Sequence, residues 1–126
     1  MAGADEAANP VFRVGGVSYL RIPAVDPARS AAFYAAVFGW TVDVDRATPN
    51  FSDGTGHVIG HFVSDIPVAG PAGVRPYIFV SSVDDVLERA VAGGASIVTA
   101  PYPEGNLRVA TFRDPAGNEI GVWQTT

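Results

Sequence analysis

The sequence contains no cysteine and no lysine among its 126 residues. Without cysteine the chain cannot form disulfides, a thiolate nucleophile or thiolate metal ligands. Without lysine it can form neither a lysine Schiff base nor use a lysine general base. The eight basic residues are all arginines, scattered along a chain of formal net charge −5. We therefore expect no nucleic-acid partner, because phosphates require a basic face.

Long apolar runs are also missing, so the sequence predicts neither a membrane-spanning segment nor a membrane partner. The first residues include the acidic Asp5 and Glu6 and no apolar stretch, which does not predict a signal peptide. Together with the lack of cysteine, these features predict a cytoplasmic protein. Apolar residues make up 48% of the chain, enough for a packed core, and the length predicts one domain.

What is present is an internal repeat. Similar segments surround Val25-Asp26 and Val83-Asp84, 58 positions apart, and each predicts a strand, a helix and three further strands. We therefore predict an α+β fold in which two βαβββ repeats form a curved mixed sheet around a cavity, with the helices on the outer face. The predicted organisation is a flexible N-terminal arm at 1–13 and one domain at 14–126, made of units 14–64 and 73–126.

Local signals set the element boundaries. In the first unit they predict strands at 17–22, 40–44, 48–52 and 57–63, and in the second unit at 74–81, 95–99, 107–113 and 119–124, with a loop at 101–105. Asp26 and Pro27 predict the start of the first helix, and Gly39 its end. Ser82 or Asp84 caps the second helix. Phe33, Tyr34 and Phe38 have helical spacing, which predicts core positions.

Two motifs resemble the vicinal oxygen chelate superfamily, which includes glyoxalases, extradiol dioxygenases, and bleomycin- and fosfomycin-resistance proteins. The first is the segment 26–40, beginning Asp-Pro-Ala-Arg-Ser and ending Phe-Gly-Trp. The second is Asp114-Pro115-Ala116-Gly117-Asn118 followed by Ile120-Gly121. The resemblance covers residues 15 to 124 and implies a glyoxalase-like domain. It does not imply one reaction, since the superfamily contains isomerases, oxygenases, transferases and binding proteins.

The resemblance also implies where a metal would bind, on the first and last strand of each unit. The corresponding positions are Tyr19, Gly60, Tyr77 and Gly121, which offer neither imidazole nor carboxylate. We therefore predict a metal-free protein with no cofactor. His57 and His61 lie on a strand, where residues four apart are about 13 Å apart. They are expected to be structural or surface residues on the helix-packed side, although a bulge would reverse this and ligation by them stays an alternative.

Alternation along the strands predicts the residues of the cavity wall. The candidate ligand-binding residues are Tyr19, Arg21, Phe62, Tyr77, Phe79, Glu119 and Trp123. Aromatic rings with one arginine and one glutamate are typical of a site for a small organic molecule. The alternative is that the rings only fill the core. Glu119 beside Trp123 is a further hypothesis for a general base.

Three functions remain open. The first is a metal-free, homodimeric protein of the glyoxalase or bleomycin-resistance type that binds a small organic molecule, aromatic or polar, in the concave cavity. The second is an enzyme of the lyase, isomerase or dioxygenase type that uses Tyr19, Tyr77 or Glu119 for acid–base chemistry, with or without a divalent metal. The third is a metalloenzyme whose ligands lie elsewhere. The sequence does not separate the first two, and catalytic residues remain unknown.

Overall fold

The computed structural model describes residues 9–45 and 47–126, so residues 1–8 of the predicted N-terminal arm lie outside the described residues. The described chain forms two helices and eight strands. The helices are α1 (Pro27–Phe38) and α2 (Val83–Ala92). The strands are β1 (Tyr19–Pro23), β2 (Thr41–Asp43), β3 (Asn50–Ser52), β4 (Ile59–Val63), β5 (Tyr77–Phe79), β6 (Ser96–Glu104), β7 (Leu107–Arg113) and β8 (Glu119–Thr125).

The strands form two four-stranded mixed sheets, in the orders β1-β4-β3-β2 and β5-β8-β7-β6. In each sheet the first and last strands of the unit run parallel, while the other neighbours run antiparallel. The predicted α+β class and the two βαβββ units are therefore confirmed. We call β1–β4 with α1 the first unit, and β5–β8 with α2 the second unit.

Helix α1 begins and ends as its sequence predicts. The Asp26 side chain accepts a hydrogen bond from the Arg29 backbone N–H, and Pro27 occupies the first turn, where its missing N–H costs nothing. Gly39 ends the helix at a φ of 73°, a left-handed conformation that glycine adopts without steric cost. The helix buries Phe33 and Tyr34, and the partly buried Phe38 packs against the core, so the predicted core face is confirmed.

Helix α2 shows that the predicted repeat spacing is wrong by two residues. Ser82 caps α2 by accepting a hydrogen bond from the Asp85 N–H, whereas Asp26 caps α1, so the two caps lie 56 positions apart. The backbone agrees, because Ala24 N–H donates to Val63 and Val80 N–H donates to Trp123. The two Val-Asp pairs had suggested 58 positions, but one pair precedes its helix and the other lies within it.

The turn before the last strand introduces a second difference between the units. In the first unit the Asp53 N–H donates to the Val58 carbonyl, while in the second the Asp114 N–H donates to the Asn118 carbonyl. The first turn therefore holds one more residue. As a result, the last strands are related by 60 positions, and the counterpart of Gly121 is His61 rather than Gly60.

The two units share one core, formed by the helices and by the sheet faces that pack against them. Tyr34 on α1, which is fully buried, donates a hydrogen bond of 2.8 Å to Asp114 of the second unit. Burial raises the pKa of Tyr34 well above its ordinary value, and the charge of Asp114 and the hydrogen bond to it raise this pKa further. The Asn118 amide donates to the Pro23 carbonyl at 2.7 Å. These polar contacts fix the orientation of the units.

The predicted loop at 101–105 is wrong, because β6 continues to Glu104 through two prolines. Pro101 and Pro103 are compatible with this strand because β6 is the outermost strand of its sheet, where a missing N–H leaves no ladder bond unmade. Neither helix of the described residues is long and apolar enough to cross a membrane.

Candidate functional site

Each sheet has one face that packs against the helices and one that does not, which we call the helix-free face. On β1, Tyr19 and Arg21 alternate with Leu20 and Ile22, which pack against the core. By the same alternation Tyr77 and Phe79, and also Glu119 and Trp123, lie opposite the core-packed Ile78, Ile120 and Val122. Six of the seven predicted ligand-binding residues therefore lie on the helix-free faces.

The orientation predicted for β4 is wrong. Phe62 is fully buried and its ring stacks on Tyr34 of α1 at a centroid distance of 5.5 Å. His61 lies instead on the helix-free face, where its Nδ1 is 2.5 Å from the Tyr19 hydroxyl. His57 precedes β4, and its backbone N–H donates to Thr55. The extra residue in the preceding turn shifts the strand by one position, which exchanges its two faces.

The helix-free face of the first unit carries an ion pair at its surface. Arg21 donates two hydrogen bonds to Asp65, of 2.9 and 2.8 Å, and the two side chains are 49% and 66% exposed. Such a pair contributes little to stability because water screens it. This face therefore presents one phenol–imidazole pair and one neutralised guanidinium group.

The helix-free face of the second unit is more aromatic. The Tyr77 ring lies across Gly121, its partner in the sheet register, and a Cβ atom at Gly121 would overlap that ring. Phe79 and Trp123 meet edge to face at a centroid distance of 4.8 Å. Tyr77 and Phe79 remain 45% and 59% exposed, so large apolar surface faces outward here.

Glu119 lies between two arginines that the predicted site did not include. Its Oε2 accepts a hydrogen bond of 2.5 Å from Arg75, and its Oε1 accepts one of 3.4 Å from Arg113. The Glu119 side chain is only 4% exposed. Each oxygen already accepts a hydrogen bond from a guanidinium group, an arrangement that does not favour the general-base hypothesis. The signal for Arg75 is its place in Arg75-Pro76-Tyr77, the reverse of Tyr19-Leu20-Arg21.

A cavity of about 350 Å³ lies where the two units meet. Four consecutive residues of β1 line it, so it follows the edge of this strand rather than one face. Arg21 and Glu119 are the members of the predicted set that line it, whereas the other five do not. The lining residues are Leu20, Arg21, Ile22, Pro23, Tyr34, Trp40, Asp53, Val58, Ala69, Gly70, Ala72, Val74, Pro76, Ile78, Asn118, Glu119 and Ile120.

The positions implied for a metal do not fit a divalent ion. With the repeat spacing of the structure, Tyr19 corresponds to Arg75, just before β5, rather than to Tyr77, and Gly121 corresponds to His61 rather than to Gly60. His61 offers an imidazole, but Arg75 is a cation and Gly121 has no side chain. Within residues 9–45 and 47–126, no three histidine, aspartate or glutamate side chains form a group that could hold a metal ion.

Comparison with known proteins agrees with this architecture. A family model described as a glyoxalase-like domain matches residues 20–123. The anthracycline biosynthesis protein DnrV of Streptomyces peucetius is 32% identical over 133 residues, which cover 90% of this chain and 48% of DnrV. The chain spans about half the length of the curated relatives it matches.

Solved structures share the fold. A glyoxalase/bleomycin resistance protein/dioxygenase family enzyme from Burkholderia phytofirmans PsJN has a TM-score of 0.72 at 21% identity, covering 86% of this chain and 98% of its own. TnmS3, an antibiotic binding protein from Streptomyces sp. CB03234, has a TM-score of 0.70 at 22% identity, covering 90% and 98%. The resemblance to the vicinal oxygen chelate superfamily is thus confirmed.

Proposed function

The chain belongs to the glyoxalase-like domain family, and we propose that it binds a small, mainly apolar organic molecule in the cavity between its two units. The observation that carries this proposal is the cavity itself. Its volume of about 350 Å³ falls within the range of ligand sites, about 300–1,000 Å³. Its walls are mostly apolar, with a few polar residues such as Arg21, Asn118 and Glu119, a combination that buries a ligand and orients it.

The names of similar proteins support a small organic ligand. TnmS3 is an antibiotic binding protein, and DnrV acts in anthracycline biosynthesis, by their descriptions. Binding without turnover requires only the cavity. The residues at the positions implied for a metal do not fit a divalent ion. We therefore propose metal-free binding rather than metal-dependent turnover.

The two tryptophans allow the location to be tested, because one lies at each candidate surface. Trp40 lines the cavity, while Trp123 lies on the helix-free face of the second unit. We expect 2-naphthamide, a neutral planar probe, to shift the indole N–H signal of Trp40 saturably in a nitrogen–proton NMR titration. The Trp123 signal should move less, and the variants Trp40→Phe and Trp123→Phe assign the two signals.

A variant that fills the cavity provides the control. Ile78→Phe adds bulk to a lining residue and should weaken the binding of 2-naphthamide at least tenfold. Ile97→Phe makes the same change on β6, away from the cavity, and should leave the affinity unchanged. A shift of Trp123 alone would place the ligand on the helix-free face, where Tyr19, Tyr77 and Phe79 were predicted to bind it. If neither signal moves, the proposal is wrong.

We also propose that two copies associate through their helix-free faces. The outward-facing rings of Tyr19, Tyr77 and Phe79 are 48%, 45% and 59% exposed, and such apolar surface is typical of an interaction site. The outermost strands β1, β2, β5 and β6 each leave one edge unpaired in the described chain. A second copy that packs against these three rings would remove their apolar surface from water.

Light scattering tests this association. A dimer should show twice the chain mass of 13.1 kDa at micromolar concentration. Phe79→Asp places a charge on the helix-free face and should return the mass to that of one chain. Val25→Asp, at a residue that is 80% exposed just before α1, is the matched control and should remain dimeric. A single-chain mass for the unmodified protein at all concentrations would contradict the proposal.

A further inference from the structure

The arrangement around Glu119 differs from the other ion pairs of the described chain. Arg21 pairs with Asp65, and Arg108 pairs with Asp84, each one guanidinium with one carboxylate. Among the carboxylates of the described residues, Glu119 is the one shared by two arginines, Arg75 and Arg113. Two positive charges against one negative charge leave this cluster with a surplus of one positive charge.

The shared carboxylate is buried, whereas the arginines are accessible. The Glu119 side chain is 4% exposed, but those of Arg75 and Arg113 are 38% and 50% exposed. A guanidinium group carries five N–H donors, and Glu119 accepts one hydrogen bond from each arginine. Glu119 therefore holds two guanidinium groups in place while most of their donors remain available to a ligand.

Arg75 is charged at any ordinary pH, and its neighbours favour the charged form further. Its pKa is raised by the interaction with the Tyr77 side chain, partly opposed by desolvation, and then by Glu119. Another carboxylate of this sheet, that of Glu104 on β6, accepts a hydrogen bond from the Tyr102 hydroxyl at 3.3 Å. Within the described residues, the carboxylate that pairs with both arginines is that of Glu119.

The cluster also adjoins the cavity. Arg75 stands in the chain between Val74 and Pro76, both of which line the cavity, and it contacts Glu119, which lines it as well. Arg75 and Arg113 do not line the cavity themselves, so a ligand would meet their guanidinium groups where it extends past Glu119 at the rim. Guanidinium groups bind carboxylate and phosphate oxygens through paired hydrogen bonds.

We propose that Arg75 and Arg113 form an anion-binding subsite at the rim of this cavity, so that its ligand is an organic acid. The apolar body of the ligand lies in the cavity, and its carboxylate or other oxyanion meets the two arginines. This inference rests on the proposed function, and Glu119 is a positioning residue that orients the arginines rather than a contact for the ligand.

A matched pair of probes tests the inference. 2-Naphthoate and 2-naphthamide have nearly the same shape and differ in charge, and calorimetry measures the affinity of each. We expect the acid to bind the unmodified protein at least tenfold more tightly than the amide. Arg75→Gln should reduce this ratio to near one. Arg108→Gln, on β7 and paired with Asp84 on the opposite side of the sheet, is the control and should preserve the ratio.

Glu119→Gln gives a result of opposite sign. Removing the buried negative charge leaves two guanidinium groups without an ionic partner, so the preference for the acid should rise above that of the unmodified protein. A positioning role predicts that the gain is accompanied by greater mobility of Arg75, which relaxation of its side-chain nitrogen NMR signal reports. If Arg75→Gln does not fold, the double variant Arg75→Gln/Glu119→Gln, which leaves no buried unpaired charge, takes its place.

The outcomes separate this inference from the proposed function. Equal affinities for acid and amide would overturn the anion subsite and leave cavity binding intact. A preference for the acid that survives the double variant Arg75→Gln/Arg113→Gln would overturn the assignment to these residues. If neither probe binds, the proposed function falls together with the inference.

Discussion

Strand β1 and the segment that leads into β5 carry the same two residue types, arginine and tyrosine, in opposite order. The sequence of β1 begins Tyr19-Leu20-Arg21, whereas the second unit has Arg75-Pro76-Tyr77. With the structural spacing of 56 positions, Tyr19 corresponds to Arg75 and Arg21 corresponds to Tyr77. In the first unit the guanidinium pairs with an exposed carboxylate, and in the second with a buried one. The guanidinium group is thus neutralised at the surface in the first unit and held by a buried carboxylate in the second.

The partner strands differ as well. His61 in the first unit corresponds to Gly121 in the second, and this exchange decides what the tyrosine does. Tyr19 forms a hydrogen bond with His61, whereas Tyr77 lies across the space left by Gly121. One unit therefore presents a polar pair, while the other presents an exposed aromatic surface. Two units of similar sequence and the same fold thus present different surfaces.

The largest expected effect is on stability, and it differs between Gly60 and Gly121, the two glycines that the sequence motifs align. At Gly60 a Cβ would overlap the Leu20 carbonyl, a backbone atom of the neighbouring strand, and also the Phe51 ring. At Gly121 it would overlap the Tyr77 ring, which can rotate toward solvent. We expect Gly60→Ala to lower the free energy of unfolding by about 3 kcal/mol or more, and Gly121→Ala by about 1 kcal/mol. Chemical denaturation measures both.

The double variant Gly121→Ala/Tyr77→Ala is the control for this prediction. Removing the ring should relieve most of the overlap, so the two substitutions should be strongly non-additive. Gly60→Ala should show no such coupling with Tyr77→Ala. Equal losses of stability at Gly60 and Gly121 would contradict the difference described here.

The next effect concerns Tyr34, which joins the units. Tyr34→Phe removes the hydrogen bond to the buried Asp114 and should cost about 1–3 kcal/mol. Because the pKa of Tyr34 is raised in the folded state, its contribution is complete below the ordinary pKa of about 10 and is lost as the pH rises through the folded value. The stability of the unmodified protein should therefore fall above about pH 10.

Thermal unfolding between pH 8 and 11 measures this contribution. The fall in stability at alkaline pH should be shallower in Tyr34→Phe, which has no phenol to ionise. Tyr77→Phe, at a tyrosine of the second unit that is 45% exposed, is the control. A curve for Tyr34→Phe parallel to that of the unmodified protein would mean that another group causes the alkaline loss.

The errors of the sequence prediction follow from the two differences in spacing. The two-residue error at the second helix left the faces of β5 unchanged, because side chains alternate with a period of two. Tyr77 and Phe79 were therefore correctly assigned to the helix-free face. The one-residue error at the turn before β4 exchanged its faces, so Phe62 and His61 were both misplaced. Counting residues could not detect that the first turn is longer, since an aspartate begins each turn, Asp53 in the first unit and Asp114 in the second.

The arginine cluster was missed for a different reason. Arg75 lies outside any predicted motif, and its contact with Glu119 spans 44 positions. Alternation correctly placed Glu119 on the helix-free face but says nothing of which distant side chain meets it. The helices, the strands and the faces on which their side chains lie follow from the local sequence. The pairing of Arg75 with Glu119 depends instead on the path of the connector between the two units.

The smallest expected effect compares one arginine–carboxylate contact from each unit. Arg21→Gln breaks an exposed pair and should change the unfolding midpoint little, because water replaces both partners. Arg75→Gln leaves the buried Glu119 with only the longer contact to Arg113, so its midpoint should fall measurably further. Raising the salt concentration should erase the effect of Arg21→Gln first, since exposed charges are screened more strongly than buried ones. Identical midpoints for the two variants would mean that Glu119 is solvated in solution, and the contrast between the units would then lie in their aromatic residues alone.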